Sequence, residues 1–333
     1  MSNPFKALVV EETDNGNFER SVRQRSTADL PDYEVLIEVH YSALNYKDAL
    51  SATGNKGVTQ EFPHTPGVDA AGVVAESDDE RFSRGDEVIV TSFDLGQNTD
   101  GGFGQYIRVP GDWIVPLPDG LTLRESMMWG TAGFTAAYGV HHLMENGCEP
   151  ETGPVLVTGA TGGVGSLAVA LLAHNNFEVT AATGKMDQQE YLESLGAKEI
   201  INRNTLTDDS GRPLLGSKWA GALDTVGGDM LDVVLRQTQH NGTVACCGNI
   251  LGGQLHTSIY PFILRGIGLI GIDSGMCKMP MRKTIWNQLA TDWKISTLDA
   301  ICRECTLSNL NEEIDTILAG KQVGKVLVKV ETD

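Results

Sequence analysis

Apolar positions come in two rhythms along this chain. Up to about residue 116 they form short Val- and Ile-rich runs: Phe5–Val10, Val35–Tyr41, Ala71–Ala75, Glu87–Thr91, Phe103–Val109 and Trp113–Pro116. Pro-Gly, Arg-Gly-Asp, Gly-Gly and Pro-Gly-Asp turns bound them, so each is predicted to be a strand. Many short strands at this spacing predict a partly open β-barrel rather than a layered sheet. The rhythm changes at Thr122, which with Glu125 three residues on forms a capping box. A Met/Ala/Gly-rich stretch then runs to about Glu145.

From Val155 strands and helices alternate. Val155–Thr158 is an apolar strand, Val164–Ala173 is a helix apolar almost all round, and Val179–Thr183 is a second strand. Asp187 and Glu190 predict a capping box for a helix ending at Gly196. Glu199–Ile201, Gly221–Val226, Thr243–Cys247 and Leu269–Ile272 read as further strands, so the segment predicts a doubly wound parallel sheet. Two helices, about Met281–Trp293 and Asn311–Ala319, precede a last strand, Lys325–Val330. Three segments follow: a strand-rich one over 1–125, one over 126–274 that holds the alternating strands and helices, and a C-terminal one over 275–333. Thr205–Gly216, with its Asp-Asp-Ser-Gly run, is the one stretch patterned as flexible.

Composition narrows the function. The 333 residues are 41% hydrophobic, enough for a sizeable core, and carry a formal net charge of −19. That charge repels phosphate backbones and anionic lipid, which disfavours nucleic-acid and membrane-surface roles. No apolar run approaches the roughly 18 residues of a membrane span, and the first residues lack a signal-peptide pattern. A cytoplasmic protein is expected. Six cysteines make no disulfide framework. Cys302-Arg303-Glu304-Cys305 has C-x-x-C spacing without a thioredoxin-like strand–turn–helix before it, so a structural role is expected.

The strongest chemical signal is Val155-Leu156-Val157-Thr158-Gly159-Ala160-Thr161-Gly162-Gly163-Val164-Gly165. An apolar strand enters a glycine-rich turn that opens a buried helix, a setting in which free N–H groups meet a pyrophosphate. Specificity is set at the end of the next strand. A carboxylate there would bind a ribose 2′-hydroxyl; Thr183-Gly184-Lys185 instead offers a hydroxyl and a cation, which suits a 2′-phosphate. Arg203 follows the next strand and would flank the same phosphate or the adenine. NADPH is the expected cofactor.

A barrel-like region before a nucleotide-binding sheet resembles the medium-chain dehydrogenase/reductase superfamily over essentially the whole chain. The implied fold class is α/β: a GroES-like, partly open β-barrel domain plus a Rossmann doubly wound parallel sheet. Zinc members of the superfamily carry C-x-x-D and G-H-E motifs. Here the equivalents are Asn45-Tyr46-Lys47-Asp48 and Gly67-Val68-Asp69, and residues 1–147 contain no cysteine. Valine cannot ligate a metal, so no metal site is expected. Without a Lewis acid, the resemblance implies reduction of activated C=C bonds or quinones.

Longer strings resemble the YhdH/AcuI group of quinone-oxidoreductase-like proteins. They are Ser42–Leu50, Pro66–Gly72, Gly130–Ala136, Trp219–Gly227 and Pro261–Arg265. The group implies NADPH-dependent reduction of acryloyl-CoA, a small CoA thioester, to propanoyl-CoA. It places cofactor contacts on Tyr46, Gly162, Gly163, Val164, Gly165, Ser166, Thr183, Gly184, Lys185, Arg203, Asn249, Ile263 and Ser274. The C-terminal contact around Ala319–Gln322 has no match. Tyr46 is expected to touch the nicotinamide ribose or support protonation, with bulk water an alternative proton donor. Asn45 would hold the thioester oxygen, while Asp48 and Asp69 would hydrogen-bond the loop and Lys47. Arg265 is open between a CoA phosphate and a structural ion pair. Quinone or general alkene reduction, and a non-catalytic NADPH-binding role, stand as alternatives. A homodimer is expected, through pairing of the Leu269–Ile272 strand with its copy.

Overall fold

A computed structural model describes residues 3–331. In chain order it begins with β1 (Pro4–Glu12), β2 (Phe18–Ser26), β3 (Val35–Leu44), α1 (Tyr46–Ser51), β4 (Asp69–Ser77), β5 (Glu87–Thr91), β6 (Tyr106–Val109) and β7 (Ile114–Pro116). Helix α2 (Leu123–Glu145) leads to β8 (Val155–Thr158), α3 (Gly163–His174), β9 (Val179–Thr183), α4 (Gln189–Ser194) and β10 (Glu199–Asn202). Then follow β11 (Trp219–Asp224), α5 (Gly228–Gln237), β12 (Thr238–Cys246), α6 (Tyr260–Arg265) and β13 (Gly268–Gly271). The chain closes with α7 (Met279–Ala290), α8 (Leu298–Ile301), β14 (Cys302–Thr306), α9 (Leu310–Leu318) and β15 (Lys325–Lys329).

Two compact units result: Met1–Thr131 with Gly275–Thr291 and Leu298–Asp333, and Ala132–Ser274 with Asp292–Thr297. In the first unit a seven-stranded sheet runs in the order β14-β15-β3-β4-β5-β7, with β6 pairing β3, and β1 and β2 form a separate antiparallel ribbon. Apolar faces of these strands enclose a core that includes Leu8, Val35, Ile37, Val39, Val90, Phe103, Ile107 and Val326. In the second unit six strands, all parallel, run in the order β10-β9-β8-β11-β12-β13. That is the Rossmann order, with its topological switch between β8 and β11.

Several boundaries differ from the sequence expectation. Strand Phe103–Val109 shortens to Tyr106–Val109 because the N–H groups of Gly101, Gly102 and Phe103 donate to the carbonyls of Thr65, Gly67 and Pro66. A Cβ on Gly102 would lie 2.0 Å from Asp69 O, so only glycine passes there. β2, Phe-Glu-Arg-Ser-Val-Arg-Gln-Arg-Ser, has no apolar alternation and exists because β1 pairs with it along its whole length. The box at Thr122 forms, with Glu125 N–H donating to Thr122 Oγ1 at 3.1 Å and Thr122 N–H to Glu125 at 2.9 Å. The box at Asp187 does not: a 3-10 turn over Met186–Gln188 runs into α4, and Asp187 accepts from the Gln188 amide instead.

Two further expectations are resolved by hydrogen bonds. Thr205 ends a 3-10 turn and residues 206–216 have no regular structure, yet Arg236 ties the stretch down through Asp208 and the Arg212 carbonyl, each at 2.8 Å. Arg265 donates to the carbonyls of Arg236, Thr238 and Leu215, so its guanidinium serves the fold through carbonyls and not through an ion pair with any described residue. Cys302 and Cys305 lie on β14, where burial pushes their thiols up to about 11 and about 12. Such thiols are protonated at neutral pH and inert, in keeping with a structural role.

Candidate functional site

The glycine turn of the second unit forms where β8 meets α3. Gly162 caps α3 with extended backbone (φ −81°, ψ 174°), and no side chain caps the first turn. Its first N–H groups therefore meet either solvent or an anion. A Cβ on Gly165 would lie 2.3 Å from Gly159 O and 2.8 Å from Ala160 Cα, so this glycine lets the helix close on the turn. Gly159 sits at φ +60°, a left-handed conformation that favours glycine. Ser166, on the first turn, donates to Ala160 O at 3.2 Å. Gly163 and Val164 begin the helix between them.

Thr183, at the end of β9, couples the specificity residues to this turn. Its hydroxyl lies 3.1 Å from that of Thr161 and accepts from Lys185 N–H at 3.0 Å. Arg203, just after β10, lies across the Gly184 backbone; a Cβ there would lie 2.7 Å from Arg203 Nε. Partial burial holds the Lys185 amine below its usual value, and the Arg203 charge adds to this while Asp187 opposes it. Two cations thus approach one another beside the turn. The remaining expected contacts lie on other elements: Asn249 exposed after β12, Ile263 62% exposed on α6, and Ser274 buried with its hydroxyl 2.6 Å from Thr135 Oγ1.

Asp224, at the end of β11, is a participant that the sequence reading did not assign. It accepts from Thr158 Oγ1 at 2.7 Å and from the N–H groups of Gly227 (2.7 Å) and Val226 (3.3 Å), and burial pushes its carboxyl up. Thr225 donates through its hydroxyl to Thr158 O at 2.8 Å, so the turns on either side of the switch point are locked together. The signal was Asp-Thr-Val-Gly directly after an apolar strand.

The first unit holds a buried polar cluster at the start of α1. Asn45 caps that helix, and Tyr46 is its first residue, 50% exposed. Asp48 accepts from Asn45 N–H at 2.7 Å and Val68 N–H at 2.8 Å. Burial, reinforced by the Asp69 charge, raises its pKa to about 7. Asp69 accepts from Asn45 Nδ2 at 2.8 Å, from Thr131 N–H at 2.9 Å and from Thr131 Oγ1 at 2.5 Å. Helix α2 is broken at Gly130 (φ 50°, ψ −157°), which turns that N–H towards the carboxylate. Lys325 Nζ, from the start of β15, lies 3.8 Å from Asp69 Oδ2 and 3.4 Å from Asn45 Oδ1.

These contacts correct two expectations. The charge partner of Asp69 is Lys325; Lys47 is exposed. The Asn45 amide is spent inside the cluster, its N–H groups on Asp69 and the Ala43 carbonyl, so it is not a free donor for a thioester oxygen. Lys325 and Thr131 were given no role in the sequence reading: Lys325 lies in no motif, and Thr131, although within the Gly130–Ala136 string, finds its partner 62 residues away. The donor set does not fit zinc. Asn45 offers an amide oxygen that faces an ammonium, Val68 offers nothing, and among the described residues no three His, Cys, Asp or Glu side chains gather as ligands.

Residues 31–119 match the family model described as alcohol dehydrogenase GroES-like domain, and residues 163–291 match the one described as zinc-binding dehydrogenase. Acrylyl-CoA reductase AcuI of Ruegeria pomeroyi is 44% identical over 98% of this chain and 99% of its own. The chain is a medium-chain dehydrogenase/reductase of the YhdH/AcuI group. YhfP of Bacillus subtilis, a putative quinone oxidoreductase, is 45% identical over 99% of this chain and 100% of its own. Its structure with NAD bound has a TM-score of 0.95 to this one. The yhdH oxidoreductase of Salmonella enterica in complex with NADP also has a TM-score of 0.95, at 43% identity, covering 98% of this chain and 100% of that one. Among the described residues no helix is long and apolar enough to cross a membrane.

Proposed function

We propose that this protein is an NADPH-dependent reductase of the C=C bond of 2-enoyl thioesters, acryloyl-CoA to propanoyl-CoA, working without zinc. The observation that carries the cofactor is the Lys185–Arg203 pair beside the glycine turn, with no carboxylate at the end of β9. Gly162–Ser166 would hold the pyrophosphate, and Thr183, Gly184, Lys185 and Arg203 the 2′-phosphate; Asn249, Ile263 and Ser274 are assigned to the remainder of the dinucleotide. Support for the substrate comes from relatives named acrylyl-CoA reductases at 44% and 42% identity across nearly the whole chain.

When bound, NADPH supplies the hydride for the β-carbon. The chain must orient the acyl group, stabilise the enolate oxygen and leave a route for a proton to the α-carbon. We assign Tyr46 to contact substrate or cofactor, because it is a half-exposed tyrosine directly following Asn45 of the cluster. Asn45, Asp48 and Asp69 act behind it as positioning residues. A homodimer is part of the proposal: β13 is an edge strand, and Ile259, Ile263 and Leu264 nearby are exposed.

Quinone reduction is the second reading, favoured by the 45% identity to YhfP. The test is loss of reduced-nicotinamide absorbance with acryloyl-CoA, crotonoyl-CoA and a small quinone under matched conditions, with NADH as control. A kcat/KM for acryloyl-CoA at or above about 10⁴ M⁻¹s⁻¹ and well above the quinone's would support the proposal. An inert acryloyl-CoA with rapid quinone turnover would establish the second reading. No turnover of any acceptor would leave the non-catalytic one.

A further inference from the structure

Lys325 is a lysine with a side chain only 1% exposed, facing a carboxylate, Asp69, that is wholly buried. Burying both charges costs several kcal/mol per ion, and an apolar pair of similar volume is often no less stable. The pair is not a tight hydrogen bond either, at 3.8 Å. What lies between the charges explains the arrangement better. Asn45 turns its amide N–H to Asp69 Oδ2 at 2.8 Å and its carbonyl oxygen to Lys325 Nζ at 3.4 Å. Opposite charges therefore address opposite ends of one amide and fix its orientation. Space is reserved for both: a Cβ on Gly130 would lie 2.5 Å from Asp69 Oδ2 and 3.1 Å from Lys325 Nζ. Asn45 is also the cap of α1, and the next residue is Tyr46.

We infer that Lys325 is a positioning residue for Tyr46, its buried ammonium acting with Asp69 to fix the Asn45 amide and so the turn that presents the tyrosine. The inference rests on the proposed reductase reading.

The test compares wild type with Lys325→Met and with the double variant Lys325→Met/Asp69→Asn, which removes the charge that faces Lys325 as well. Three readouts are taken: Tm, steady-state kinetics, and amide hydrogen exchange over Asn45–Ser51. Lys325→Met is expected to lower kcat at least about tenfold with KM for NADPH changed less than about threefold, because the phosphate contacts lie elsewhere. The double variant should regain only part of the Tm that Lys325→Met loses, because the new amide cannot accept all the bonds made to Asp69, should not regain kcat, and should exchange faster than wild type over Asn45–Ser51. A double variant with wild-type kcat overturns the inference, and so does one that does not fold, since the pair would then be a scaffold. If wild type itself reduces neither enoyl-CoA nor quinone, the reductase reading falls and exchange decides alone. Faster exchange at Asn45–Ser51 in the folded double variant then upholds the positioning role; unchanged exchange refutes it.

Discussion

Asp48→Asn isolates the electrostatics of the buried cluster. In the folded protein the Asp48 carboxyl is raised from 3.8 to about 7, chiefly by burial and then by the charge of Asp69. In the unfolded chain it returns to its ordinary value near 3.9. The folded state therefore keeps a proton that the unfolded state has already released. The stabilisation from that proton is complete below about pH 4 and is lost as pH rises through about 7. Between pH 5 and pH 8 the wild type should lose about 3 kcal/mol in this way, while an asparagine, which does not titrate, loses none.

The substitution also has a pH-independent cost. Asp48 accepts from Val68 and Asn45 N–H groups on its two oxygens, and an amide NH₂ must face one of those donors, a loss of about 1–3 kcal/mol. Asp48→Asn is thus expected to be the less stable protein at pH 5 and as stable as wild type or more so at pH 8, a relative change of about 3 kcal/mol. At an unfolding entropy of about 2 cal/mol/K per residue, that change is about 4 °C in Tm. Urea and thermal unfolding of both proteins at four pH values from 5 to 8 would measure it. A gap that stays constant across the range would refute the reasoning, because Asp48 would then ionise alike in both states.

Gly130→Ala should cost at least about 2 kcal/mol and lower activity with it, since the residue sits at φ +50° and its Cβ would lie 2.5 Å from Asp69 Oδ2; a Tm within a degree of wild type would contradict this. Lys185→Ala and Arg203→Ala should each raise KM for NADPH about tenfold and leave KM for NADH nearly unchanged, as expected for one lost charge-assisted hydrogen bond to phosphate. Equal effects on both cofactors would remove these residues from the 2′-phosphate site. Arg265→Lys should destabilise the protein by about 1–3 kcal/mol through its lost bonds to three carbonyls, with KM for acryloyl-CoA unaltered. A raised KM with unchanged Tm would return Arg265 to a CoA contact.

Local chemistry made much of the second unit legible. The strand Val155–Thr158, the glycines after it and the apolar helix that follows are contiguous, and a pyrophosphate turn is built from contiguous backbone. The change of rhythm near Thr122 and the specificity triplet at Thr183–Lys185 likewise sit within a few residues of chain. The strand β2 was invisible because its polar sequence pairs only by virtue of β1. The supposed cap at Asp187 was misread because a 3-10 turn competes with the helix for those residues.

The cluster in the first unit lies at the other extreme. Asn45, Asp48 and Asp69 stood out through their motifs, but their partners did not. Lys325 begins the run Lys-Val-Leu-Val-Lys, in which the first lysine is buried and the last exposed. Nothing in those five letters separates the two; the pairing of β15 with β3, which carries Ala43 and Leu44 towards Asn45, does. Thr131 meets Asp69 only because Gly130 breaks a helix that the sequence alone would run straight through. The sequence by itself thus determined the two architectures and the phosphate-binding backbone, because those depend on periodicity and adjacent glycines. Tertiary structure alone decided which buried charges face one another. Charge pairing acts over a few ångströms between residues far apart in the chain, here Asp69 and Lys325, and no local pattern encodes it.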